Sequence, residues 1–131
     1  CMCDDKLGDV LSFGTHGTTY GENPVACAGS NYVLERIANE EFLTSVREKG
    51  EYIRNSLLNM NGVSAVRGMG LMIGADIVGN AREIVSECIE NGLLILTAKT
   101  ALRMLPPLNI TYEEIDRGLD ILNKVLSGEK V

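Results

Sequence analysis

The stretch Val63-Ser64-Ala65-Val66-Arg67-Gly68-Met69-Gly70-Leu71-Met72-Ile73-Gly74-Ala75-Asp76-Ile77 decides the fold. Residues 63–66 read as a short strand, Gly68 and Gly70 flank a turn, and residues 71–77 read as the return strand. Downstream, Asn80 with Glu83 signals a capped helix over residues 81–91, which Gly92 stops. Residues 93–96 read as a buried strand. A polar turn at 97–100 leads to a second strand at 101–105, ended by Pro106-Pro107. Thr111 and Glu114 form a capping box for a last helix, whose apolar stripe is Ile115, Leu119, Leu122 and Leu126. The order from residue 63 is therefore β-β-α-β-β-α. An α/β architecture of α+β type follows: a two-layer antiparallel sheet with helices on one face.

Upstream of the hairpin the pattern is helical. Asn39 before Glu40 and Glu41 reads as an N-cap with acids in the first turn. The helix that follows carries Phe42, Val46, Ile53, Leu57 and Met60 on one stripe. Its exposed face holds Arg47, Glu48, Lys49, Glu51 and Arg54, and Asn61-Gly62 ends it. An earlier helix opens at Asn23-Pro24, since Asn caps well and Pro suits the first helical position. Residues 1–23 are a loop-rich entry punctuated by Gly8, Gly14, Gly17 and Gly21, with Leu11 and Phe13 as its large anchors. The chain thus divides into residues 1–38 and 39–131, and the tail 127–131 is expected to fray.

The composition fits an ordered domain. The chain has 131 residues, 45% hydrophobic and 23% charged. That balance disfavours disorder and suits one core. Twelve basic residues against 18 acidic ones give a net charge of −6, which disfavours a nucleic-acid partner. There is no apolar run long enough to span a membrane. The first residue is Cys1 rather than Met, and no signal-peptide pattern follows, so a piece of a longer protein is expected. Cys1, Cys3, Cys27 and Cys88 lack the spacing of a disulfide scaffold or a metal site. Cys27 and Cys88 sit in apolar helical patterns and read as small core residues of a cytoplasmic protein.

Two segments carry candidate chemistry. Gly14-Thr15-His16-Gly17-Thr18-Thr19-Tyr20-Gly21-Glu22-Asn23-Pro24 places glycines and hydroxyls at a helix start. Hydroxyls, free N–H groups and the helix dipole there suit a phosphate, although a solvated Gly/Thr loop is the commoner use. It is neither a P-loop nor a dinucleotide fingerprint. His16 reads better as a loop hydrogen-bonding residue than as a base, since no nucleophile or carboxylate is placed near it. Arg103 lies in Ala101-Leu102-Arg103-Met104-Leu105-Pro106-Pro107, otherwise apolar. It either points to solvent or grips an anion, and its planar fork suits a carboxylate. Arg67 reads as turn-adjacent and structural.

Together these segments resemble a family. Thr15-His16-Gly17-Thr18-Thr19-Tyr20-Gly21 with Asn23-Pro24-Val25-Ala26-Cys27-Ala28 resembles a stretch of the class III aminotransferases, pyridoxal-phosphate enzymes of fold type I. Arg67-Gly68-Met69-Gly70-Leu71-Met72-Ile73-Gly74 resembles their small-domain hairpin. Leu102-Arg103-Met104-Leu105-Pro106-Pro107-Leu108-Asn109-Ile110 resembles their small-domain strand. Within the class the likeness is greatest to acetylornithine aminotransferases, with ornithine, succinylornithine and 4-aminobutyrate enzymes nearby.

The resemblance implies roles. Residues 1–38 match the end of the large cofactor domain, and 39–131 the C-terminal small domain. Thr19 matches a threonine that binds the cofactor phosphate of the neighbouring subunit in a homodimer, and Thr18 a nearby donor. Arg103 matches the arginine that grips a substrate carboxylate. The implied parent moves an amino group from N-acetylornithine to 2-oxoglutarate in arginine biosynthesis. The family usually has Gly-Gly-Asn-Pro where this chain has Gly21-Glu22-Asn23-Pro24, which brings a carboxylate near the loop. In the family the Schiff-base lysine lies upstream. None of Lys6, Lys49, Lys99, Lys124 and Lys130 sits in that motif, so this chain alone is expected not to transaminate or retain the cofactor. A stand-alone, non-catalytic interaction module is the competing expectation.

Overall fold

A computed structural model describes residues 4–10 and 12–128. Cys1, Cys3, the anchor Leu11 and residues 129–131 of the tail lie outside the described residues. The chain divides into two compact units, one ending at Ala38 and the other beginning at Asn39.

In the first unit a 3₁₀ turn, Asp5–Leu7, precedes the loop and the helix α1, Pro24–Ile37. Asn23 caps α1, its Oδ1 accepting from Val25 N at 3.0 Å and Ala26 N at 3.2 Å. No residue of α1 is buried. Two expectations fail in this unit. Cys27 is exposed rather than a core residue, and Phe13 is fully exposed rather than an anchor.

The second unit opens with α2, Glu40–Leu58, capped by Asn39, whose Oδ1 accepts from Phe42 N at 3.0 Å. Val46, Gly50, Ile53 and Leu57 form its buried stripe, at the spacing that keeps one helical face inward. Two strands follow, β1 over Val63–Met69 and β2 over Met72–Ile77. β1 is longer than the sequence pattern suggests, because Gly68 lies inside the strand rather than beside the turn. Its φ of +139° suits glycine, and a Cβ there would fall 1.9 Å from the Met72 carbonyl oxygen. The turn is reduced to Gly70 and Leu71, with Met69 paired to Met72.

Next come α3 (Ala81–Glu90), β3 (Leu96–Ala98), β4 (Ala101–Met104) and α4 (Tyr112–Ser127). Asn80 caps α3 as its sequence suggests, through Arg82 N at 3.0 Å and a bond to Glu83 at 2.7 Å. The expected strand at 93–96 shifts toward the C-terminus. Ile95 is buried, but Leu94 is 83% exposed and Leu96 lies on the sheet at 57%. Apolar content alone does not specify which residues pair, and pairing with β4 selects Leu96–Ala98. The Thr111–Glu114 capping box is complete. The inner face of α4 is Ile115, Ile121, Leu122 and Val125, so Leu119 and Leu126 flank the core instead of centring it.

The sheet order is β1-β2-β4-β3, with antiparallel neighbours throughout. Ile73, Ala75 and Leu102 point to one face, where they join Leu57 of α2, Cys88 of α3 and Leu122 of α4 in a single core. Helices α2, α3 and α4 therefore cover one face of an antiparallel sheet. Among the described residues no helix is long and apolar enough to cross a membrane.

Candidate functional site

The other sheet face carries none of these three helices, and register decides what it displays. Arg67 of β1 pairs with Gly74 of β2, and Gly74 pairs with Arg103 of β4. Side chains directly opposite share a face, so both guanidinium groups rise from the same row, with a bare glycine between them. Asp76, two residues beyond Gly74, shares that face. It forms an ion pair with Arg67. The Arg67 hydrogen bond holds the Asp76 carboxyl below the usual carboxylate range, with desolvation opposing it and the Arg67 charge adding to it. Arg103 is exposed and, among the described residues, has no hydrogen-bond or ion-pair partner. Its strand position fixes the direction of the side chain, and its fork is available to a carboxylate.

The backbone beneath Arg67 is held from the edge. Arg54 of α2 donates to the Val66 carbonyl at 3.1 Å and the Gly68 carbonyl at 2.9 Å. Arg54 thus leaves the exposed face expected for it and becomes part-buried, covering edge carbonyls that would otherwise lack partners. Neither Asp76 nor Arg54 stood out in the sequence. Alternation along β2 places Asp76 opposite Ile73 and Ala75, but its partner follows only from register.

The first unit holds the other candidate residues. Thr18 Oγ1 accepts from Gly21 N at 3.2 Å, closing a small turn. A Cβ at Gly21 would lie 2.2 Å from Thr18 Cγ2, so a larger residue there would move the Thr18 side chain. Glu22 follows at φ +61°, a backbone setting that glycine adopts most readily. Thr15 donates to the Ser12 carbonyl at 2.7 Å. Thr19 and His16 are exposed, and among the described residues neither side chain makes a hydrogen bond. The expected loop-bonding role of His16 is therefore not seen.

One part of the phosphate expectation changes. The N–H groups of Val25 and Ala26 are already taken by Asn23. The helix start therefore offers its dipole but not those two donors. A phosphate here would be held through hydroxyls: Thr19, which has no described partner, and Thr18, whose oxygen accepts while its proton stays free to donate. The donor set fits a phosphate group.

An apolar cavity of about 290 Å³ lies between Leu93, Pro106, Ile110 and Leu119. Its one carboxylate, Glu114, is engaged by the Thr111 backbone N–H and hydroxyl, which lower its pKa. The cavity therefore offers packing surface and no free catalytic group.

A family model described as aminotransferase class III matches residues 1–126. The chain belongs to the class III aminotransferases. Acetylornithine aminotransferase from Haemophilus ducreyi is 45% identical over 125 residues, which is 94% of this chain and 32% of that protein. The mitochondrial acetylornithine aminotransferase of Saccharomyces cerevisiae is 41% identical, over 97% of this chain and 31% of its own length. The crystal structure of N-acetylornithine aminotransferase from Stenotrophomonas maltophilia superimposes with a TM-score of 0.75 at 33% identity, covering 80% of this chain and 31% of that one. An ornithine aminotransferase structure from Toxoplasma gondii gives 0.74 at 28%, covering 94% and 31%. This class III chain spans about a third of the length of the curated relatives it matches.

Proposed function

We propose that the chain is the C-terminal portion of an acetylornithine-type aminotransferase. The parent enzyme transfers the amino group of N-acetylornithine to 2-oxoglutarate, a step of arginine biosynthesis, as a cytoplasmic homodimer. The observation that carries this reading is Arg103: exposed, without a described partner, and in a row whose other guanidinium Asp76 already occupies. The identity to acetylornithine enzymes supports this donor over ornithine, succinylornithine or 4-aminobutyrate.

In this reading Arg103 binds a substrate carboxylate through two parallel N–H bonds, and the strand beneath it fixes the substrate's orientation. Thr18 and Thr19 hold the cofactor phosphate, with Thr19 serving the neighbouring subunit. Residues 1–38 close the large domain and 39–131 form the small domain. Pyridoxal phosphate, when bound, supplies the carbonyl that carries the amino group and the electron sink that stabilises the carbanion. The catalytic lysine comes from upstream, so this chain alone is inactive and does not retain the cofactor. The exposed Val25, Tyr32, Val33 and Leu34 of α1 supply the apolar surface for subunit association.

The nucleotide sequence upstream of Cys1 tests the reading. It should encode, in frame, a cofactor-binding lysine and an acid for the pyridine nitrogen. A stop codon immediately before Cys1 would overturn the reading in favour of a stand-alone interaction module.

A further inference from the structure

The strands carry three charged residues, Arg67, Asp76 and Arg103, as their sequences VSAVRGM, MIGADI, LTA and ALRM show. All three share the face opposite the core. Arg67 and Arg103 flank Gly74, and Asp76 stands one pleat further along the central strand, diagonal to both. Diagonal neighbours on adjacent strands are ~7–8 Å apart, within reach of a long side chain. Asp76 is thus placed to serve either arginine. It pairs with Arg67. The Arg67 stem lies across β2 at Gly74, where a Cβ would stand in ordinary contact, 3.7 Å from Arg67 Cγ.

We propose that Arg67 is a positioning residue that holds Asp76 away from Arg103 and so keeps Arg103 open for an external carboxylate. Two guanidinium groups share one internal carboxylate, and the pairing decides which of them remains free. Without Arg67, the strands leave Asp76 one cation on its face, Arg103. An internal carboxylate then competes with the substrate's for the same fork. The consequence for catalysis rests on the carboxylate-binding reading of Arg103; the exchange of partners does not.

The exchange is tested in the 131-residue chain by following the Asp76 side-chain carboxyl by NMR against pH. Arg67→Gln keeps most of the aliphatic stem. In the wild type and in Arg67→Gln, Asp76 should titrate below the ordinary aspartate value of ~3.9. In Arg67→Gln/Arg103→Gln it should return to that value. A return in Arg67→Gln alone overturns the inference. In the full-length enzyme, Arg67→Gln should raise KM for the carboxylate substrate about two- to fivefold, the span an exposed ion pair can supply, with kcat kept. Arg67→Gln/Asp76→Asn should bring KM back close to the wild-type value, which a merely structural role for Arg67 would not do. Failure of that rescue overturns the inference. An unchanged KM in Arg103→Ala, with the NMR result as expected, overturns the substrate reading and leaves the exchange standing.

Discussion

Gly50 of α2 lies directly beneath Gly70 of the β1–β2 turn, so close that a Cβ at residue 50 would fall 2.3 Å from the Gly70 carbonyl oxygen. The atom in the way is backbone, so the hairpin must move to admit a methyl group. Alanine is favoured over glycine in helices by ~1 kcal/mol. Overpacking costs ~1–3 kcal/mol and rises when backbone must shift. Gly50→Ala should therefore destabilise the chain despite its better helix propensity, by up to about 2 kcal/mol on balance. Urea unfolding followed by circular dichroism checks this.

Arg103→Ala should raise KM for the carboxylate substrate by roughly 10- to 100-fold in the full-length enzyme, as expected for loss of a charge-assisted pair. The cofactor's visible absorbance should not change. Arg103→Lys should recover only part of the loss, because an ammonium does not reproduce the two-pronged fork. Steady-state kinetics for both amino donor and oxo acid measure it.

Glu22 sits at φ +61° in front of the α1 cap. A left-handed backbone costs a non-glycine residue ~1–2 kcal/mol, and its carboxylate adds negative charge near the hydroxyls of Thr18 and Thr19. Glu22→Gly should therefore tighten cofactor retention in the full-length enzyme. Thr19→Ala should weaken it roughly tenfold or more, the value of a hydrogen bond to a charged group. Dialysis followed by cofactor absorbance separates the two directions.

The fold was largely legible, and the reason is local. Caps at Asn23, Asn39, Asn80 and Thr111 satisfy helix N–H groups within a few residues, so sequence alone locates the helix starts. Strand bounds were less legible. Gly68 reads as a turn residue, yet it continues β1 because its missing side chain admits the Met72 carbonyl. Ile121 and Val125 displaced Leu119 and Leu126 from the centre of α4, since the choice depends on the angle at which the helix meets its neighbours. Of the candidate site, Arg103 stood out in the sequence as a charge in an apolar strand. Asp76 and its partner were not, because cross-strand pairing sets their meeting.

Acid should destabilise the chain through Asp76 and Glu114. Both carboxyls titrate lower in the folded chain than they would unfolded, held by Arg67 and by Thr111 respectively. Their stabilisation is present above the ordinary carboxylate range and is lost as pH falls through their lower folded values. Thermal midpoints should fall on acidification below about pH 4, and less steeply in Asp76→Asn/Glu114→Gln.

Cys88 behaves in the opposite sense. Burial pushes its thiol up to about 11. Its contribution is complete below the ordinary thiol value of ~8.5 and disappears as pH rises toward the folded value. At pH 8, iodoacetamide should label the exposed Cys27 and spare Cys88 until the chain is unfolded, as peptide mass spectrometry would record.

The central claim is tested most directly by glutamate formation from 2-oxoglutarate in the full-length enzyme, with N-acetylornithine, ornithine and 4-aminobutyrate compared as amino donors. The account predicts the highest kcat/KM for N-acetylornithine and its loss in Arg103→Ala. A higher kcat/KM for ornithine or 4-aminobutyrate, or no glutamate with any donor, would contradict it.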